Sequence, residues 1–152
     1  MWRARLLLAP FSAADELGAF EQLLDGNVGG VVTFTGLARG RNGDGAAVDR
    51  LFLQHHPRLT QRSLDQIASA AADRFAVRAI SVVHRAGSIA PGEPIVWVAA
   101  AASRRRAAFE AADYLMDRLK TEAMFWKREE GPDGSTWIEP TAADRLERAR
   151  WE

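Results

Sequence analysis

Three groups of basic residues in this sequence are suited to chemistry, and the chemistry they suit is the holding of anions. Arg39 and Arg41 lie in GLARGRNGDG (Gly36–Gly45), a stretch with four glycines that follows a short branched apolar run. Glycine-rich loops can turn several backbone N–H groups toward one anion. Taken alone, the segment reads more readily as a hairpin loop with solvated arginines. Arg104, Arg105 and Arg106 follow Ser103, where a helix should begin. Positive side chains there oppose the helix dipole, and local rules are broken this way more often at functional sites. The same helix start attracts phosphate. Three successive helical residues cannot share one face, so one or two of them are expected to point inward. The third group is Lys120 and Lys127, seven residues apart. Lys120 continues the stripe Phe109, Asp113, Met116, which predicts a half-buried stem. By spacing alone it reads as a surface partner of Asp117. Lys127 would share its face only on a continuous helix, and Phe125-Trp126 suits a strand better.

The other reactive residue types offer little. The chain has no cysteine, so disulfides, thiolate metal sites and cysteine nucleophiles are excluded. Any sulfur chemistry must use sulfur carried by another molecule. His55 and His56 are adjacent and would face opposite ways on a strand, and His84 is followed by Arg85. No spacing fits a metal site, so no metal is expected. GRNGDG lacks the glycine spacing of the nucleotide fingerprints, and no G-x-S-x-G elbow occurs. Twenty basic residues balance twenty acidic ones, which argues against a protein held mainly by nucleic-acid phosphates. The longest apolar run, Ile95 to Ala102, is too short to span a bilayer. The opening MWRARLLLAPFSAADE reads as a first strand and not a signal peptide, so a cytoplasmic location is expected.

The elements that must position these clusters can be read from pattern. Strands are expected at Trp2 to Leu8, Val31 to Thr35, Val48 to Gln54, Val77 to His84 and Ile95 to Ala102. Ser12 with Asp15 resembles a capping box opening a helix to Leu24. A second helix should run from about Leu59 to Phe75, with Leu64, Ile67, Ala71 and Phe75 on one face. A third spans Arg105 to Lys120, with Ala108, Ala112, Leu115 and Leu119 as its apolar stripe. Phe125 to Glu129 and Thr136 to Glu139 would pair across GPDG. Thr141 and Asp144 cap a last helix to about Arg150. No repeat or linker interrupts residues 1–152, whose 47% hydrophobic content fits one domain. The element order implies a single α+β domain with a mixed, largely antiparallel sheet and flanking helices.

The basic clusters fall inside five ordered motifs: GGVVTFTGLAR (Gly29–Arg39), QHHPRLTQRSL (Gln54–Leu64), HRAGSIAPGEPIVWV (His84–Val98), AAFEAADYLMDRLKTEAMFWKREE (Ala107–Glu130) and DGSTWIE (Asp133–Glu139). Through them the chain resembles the catalytic (large) subunit family of molybdopterin synthase over nearly its whole length. The resemblance implies a fold of the α/β-hammerhead type and a homodimer with a small ubiquitin-like sulfur-carrier subunit docked at each end, a heterotetramer. The carrier ends in a Gly-Gly thiocarboxylate, and its sulfur passes to cyclic pyranopterin monophosphate to form the molybdopterin dithiolene. No cofactor is implied.

By the same resemblance, Arg39, Arg104, Arg105, Lys120, Lys127 and Arg128 hold the substrate, with Lys120 and Lys127 catalytic. Such a group would bind two anions, the substrate phosphate and the carrier tail. A lysine among cations has a lowered pKa and can move protons. That role is assigned to Lys120, and substrate fixation to Lys127. The sequence departs from the family pattern at Arg104 (usually His), Met124 (often Pro) and Gln54 (commonly Glu). Arg104 keeps an anion contact but not a proton carrier. Two competing readings are a non-catalytic relative that docks a ubiquitin-like partner, and a small RNA- or nucleotide-binding domain. Both lysines and Arg39 weigh against the first, and zero net charge against the second.

Overall fold

In the computed structural model, which describes residues 1–152, the chain runs β1 (Trp2–Leu7), α1 (Ala13–Glu21), β2 (Gly30–Leu37), β3 (Arg50–His55), α2 (Pro57–Arg74), β4 (Ala79–Arg85), β5 (Gly87–Ile89), β6 (Pro94–Ala102), α3 (Arg105–Glu122), β7 (Phe125–Gly131), β8 (Gly134–Ile138) and α4 (Ala142–Ala149). The strands divide between two four-stranded sheets, ordered β1-β4-β6-β2 and β5-β3-β7-β8. Periodicity marks the strands but not this division. Only β1 and β4 pair in parallel, so the mixed, largely antiparallel α+β expectation holds.

The first sheet carries the main core. β4 is buried at every residue and β6 from Val96 onward. Strands covered on both faces read as continuous apolar runs rather than alternating ones. On one face Ile80, Val82, Val98 and Ala100 pack with Leu64, Ile67 and Ala71 of α2 and Ala111, Leu115 and Leu119 of α3. On the other, Val83, Trp97 and Ala99 meet Phe20 of α1, whose ring stands edge-on to Trp97 at 6.1 Å.

Caps and connections fix the element ends. His56 opens α2, its Nδ1 accepting from Arg58 N–H at 3.3 Å and Leu59 N–H at 3.1 Å. Pro57 follows at a position where a missing N–H does no harm, so this helix starts two residues before Leu59. The third helix begins at Arg105 as expected, with no side-chain cap from Arg104. After α3 the chain turns into β7 through Ala123 and Met124. Met124 N–H donates to Ser63 Oγ at 3.1 Å, and its carbonyl accepts from Thr60 Oγ1 at 2.6 Å. A proline at 124 could not make the first of these bonds. β5 has no expected counterpart. It is a three-residue strand paired to Leu51–Leu53 of β3, entered through Gly87 at φ +88°. No helix is long and apolar enough to cross a membrane.

Candidate functional site

Arg39 stands on a rigid base. Ala38, just past β2, is buried, and its N–H and carbonyl bond to Glu93 O at 2.9 Å and Gly92 N at 2.8 Å. Gly92 adopts φ +86°, a backbone region that strains L side chains, and this conformation aims its N–H at Ala38. The glycine-rich segment beyond is folded rather than loose. Asn42 Oδ1 accepts from Asp44 and Ala46 N–H, both at 3.0 Å, and Arg41 Nη1 donates to Gly45 O at 2.9 Å. Arg39 itself is exposed.

Opposite Arg39 runs β7. Cross-strand register pairs Lys127 with Leu53 and Glu129 with Leu51, so Lys127 and Glu129 share the face on which Leu51, Leu53 and Ile89 are buried. Between the two sides lies a small open cleft of about 50 Å³, lined by Leu37, Arg39, Arg41, Ile95, Lys127 and Glu129 among others. Burial lowers the Lys127 pKa below the usual lysine value. Glu129 opposes the shift, Lys120 and Arg39 add to it, and Asp144 opposes it more weakly. A cation held partly out of water beside two others gives up its proton more readily. Phe125, two residues earlier, is fixed from beneath by the buried ring of His84, stacked on it at 4.1 Å.

Lys120 approaches the same region from the last turn of α3. Its side chain is 59% exposed, against the half-buried stem expected. Its ionic partner is Asp144 of α4, with Nζ 3.7 Å from Oδ1, and not Asp117. Asp117 is occupied by Arg150 and by Trp151 Nε1, each at 2.7 Å. Burial works against the Asp144 charge, but the Thr141 N–H and hydroxyl, together with Lys120, hold its carboxyl below the usual range. Asp144 and Glu129 are the residues that sequence reading missed. Glu129 was within reach of it, since i and i+2 share a strand face. Nothing in the sequence pairs Asp144 with Lys120.

The structure therefore brings Arg39, Lys120 and Lys127 together and leaves the other candidates elsewhere. Arg104, Arg105 and Arg106 are all exposed, so none points inward as expected. Arg105 and Lys120 are fifteen residues apart on one helix, about 22 Å along its axis. Arg104 and Arg106 border a separate groove with Arg74 and Arg78. Arg128 lies on the opposite face of β7 from Lys127. There its guanidinium sits over Phe52 at 4.6 Å and Trp137 at 5.3 Å and bonds Glu130.

Residues 9–122 match the family model described as MoaE protein. The chain belongs to the MoaE family. It is 52% identical over 124 residues to the molybdopterin synthase catalytic subunit of Caulobacter vibrioides, covering 82% of this chain and 81% of that one. Against the protein of the same name from Pseudomonas aeruginosa it is 40% identical, with 97% of each chain covered. The solved MoaE structure from Burkholderia ambifaria superposes with a TM-score of 0.81 at 35% identity, covering 99% of this chain and 98% of the other. Members of this family are catalytic subunits of molybdopterin synthase, and this chain is a sulfurtransferase of that kind.

Proposed function

We propose that the Arg39–Lys120–Lys127 cleft is where sulfur leaves the C-terminal thiocarboxylate of a small ubiquitin-like carrier and enters cyclic pyranopterin monophosphate, in a reaction run in the cytoplasm by residues 1–152 as one catalytic domain. The observation that carries this reading is Lys127, half-buried in an open cleft with its pKa lowered by burial and by neighbouring cations. Arg39, next to the pinned backbone of Ala38, supplies a permanently charged fork for the substrate phosphate. Lys127 moves the proton and Lys120 supplies charge at the rim. These two roles are the reverse of those expected from the sequence. The support is that Lys127 has the lowered pKa, while Lys120 is exposed and paired with a carboxylate. The nucleophilic sulfur comes from the partner, as a chain without cysteine requires. A carrier tail ending in two glycines suits a narrow approach because it has no Cβ atoms.

Arg104 and Arg105 enter this proposal only through a second copy of the chain. No rotamer spans about 22 Å, so if they contact substrate they do so in the cleft of a twofold partner. That makes the homodimer, with two carriers, the working assembly. Arg128 is left out of the substrate contacts, because it faces the other side of β7. The test mixes the purified chain with thiocarboxylated carrier and the pterin substrate. Dithiolene product from a dimer that binds two carriers supports the reading. Carrier binding without product would favour a docking relative that has lost turnover.

A further inference from the structure

Helix α4 buries none of its own residues, and the apolar anchor beside it is Trp151, just past its end. The helix is tied to α3 by polar contacts. Arg150 Nη2 bonds Asp113 at 3.0 Å and Asp117 at 2.7 Å, and Arg148 Nη2 bonds Glu122 at 3.1 Å. Trp151 donates to Asp117 and sets its ring edge-on against Tyr114 at 5.4 Å and Phe75 at 5.7 Å. These contacts occupy Asp117, the carboxylate one turn before Lys120, and leave that lysine to α4. At the other end of α4, Asp144 is fixed before it meets the lysine. Its Oδ2 accepts from Thr141 N–H at 2.9 Å, and its own N–H donates to Thr141 Oγ1 at 3.1 Å. The remaining oxygen, Oδ1, faces Lys120 Nζ at 3.7 Å.

We infer that Asp144 is a positioning residue: its carboxylate, oriented by the Thr141 backbone N–H, holds the Lys120 ammonium at the rim of the cleft, beside Arg39 and Lys127. The inference rests on the reading that Lys120 takes part in transfer. Three cations converge on this cleft, and a flexible lysine stem repelled by the other two would swing into solvent. Glu129 acts on Lys127 instead, and the carboxylate within ion-pair distance of Lys120 is that of Asp144. A carboxylate whose second oxygen is already bonded is pre-organised, so little freedom is lost when the lysine docks.

The test uses the full chain with three variants and reads side-chain order at Lys120 Cε by NMR relaxation, together with dithiolene turnover. Asp144→Asn keeps an acceptor for Thr141 but removes the charge. Lys120 should then become as mobile as a free surface lysine. Turnover should fall about tenfold with the substrate KM little changed, as when a charged group at the reacting centre loses its orientation. Asp144→Glu should restore part of both readouts. Thr141→Val loosens the helix start but keeps the charge, and should stay near wild type. In a Lys120→Ala background, Asp144→Asn should add no further loss. Wild-type order and turnover in Asp144→Asn would overturn the inference. So would a Thr141→Val variant that reproduces the Asp144→Asn losses, since the effect would then belong to the helix start. Should Lys120→Ala turn over normally, the transfer reading fails, while the Lys120 order measurement still decides whether Asp144 holds the lysine.

Discussion

The two ends of α3 both carry clustered positive charge, and they are built differently. At the C-terminal end, Lys120 meets Lys127 and Arg39 around a cleft whose walls are pinned by buried contacts: Ala38 on Gly92 and Glu93, Met124 on Thr60 and Ser63, Phe125 on His84. Two carboxylates, Asp144 and Glu129, face the cations there. At the N-terminal end the arginines are exposed, Arg104 and Arg105 without a side-chain partner and the others on surface partners. Arg106 pairs loosely with Glu110 at 3.9 Å with its side chain 87% exposed, Arg78 pairs with Asp25, and Arg74 lies over Tyr114 at 5.2 Å. Charge density is similar, but only one end withholds a cation from water. That difference separates a chemically tuned group from a solvated one.

The largest effects expected from breaking the contrast are at the two cleft lysines. Lys120→Ala removes the charge at the rim and should lower dithiolene formation by about 10²–10³-fold while carrier docking and the circular dichroism spectrum stay unchanged. Near-normal turnover would remove the distinction between the two ends. Acid should act on the support beneath the cleft. Burial holds His84 at about 4 instead of 6.5, so between those values the unfolded chain binds a proton that the native chain does not. Stability is full above about pH 6.5, falls as pH drops toward about 4, and levels off below, a loss of about 3 kcal/mol. Urea titrations of wild type and His84→Phe across that window should differ in slope. Parallel curves would show that His84 is not held neutral. Smaller effects should follow at the arginines. Arg39→Ala should weaken substrate binding about 10- to 100-fold, partly mimicked by added salt. Arg106→Ala should change stability by less than about 0.5 kcal/mol and leave binding alone. Equal effects at these two positions would erase the contrast.

Most of the fold was legible in the sequence because its signals are local. β6 declared itself as a continuous apolar run, α3 by its stripe of Ala108, Ala112, Leu115 and Leu119, and α4 by Thr141 with Asp144. The division into two sheets and the short strand β5 are set by long-range pairing, which leaves no periodic mark. The site was legible as a set of residue types, and the motif resemblance named Arg39, Lys120 and Lys127 together. What stayed hidden was geometry. Asp144 reaches Lys120 only because α4 folds back along α3, a contact across 24 positions that no spacing rule encodes. The arginines of residues 104–106 looked equivalent to the lysines because a linear sequence does not show that one helix sets them a full length apart.

Adjacent residues on β7 give the most direct test of the central claim, that the chemistry belongs to the cleft face. Lys127 points into the cleft and Arg128 points away. Single-turnover formation of the dithiolene, with saturating thiocarboxylated carrier, should be measured for Lys127→Ala and Arg128→Ala side by side. The rate should be lower by at least about 10²-fold for the first and within a few-fold of wild type for the second. Comparable losses in both, or a greater loss at Arg128, would contradict it.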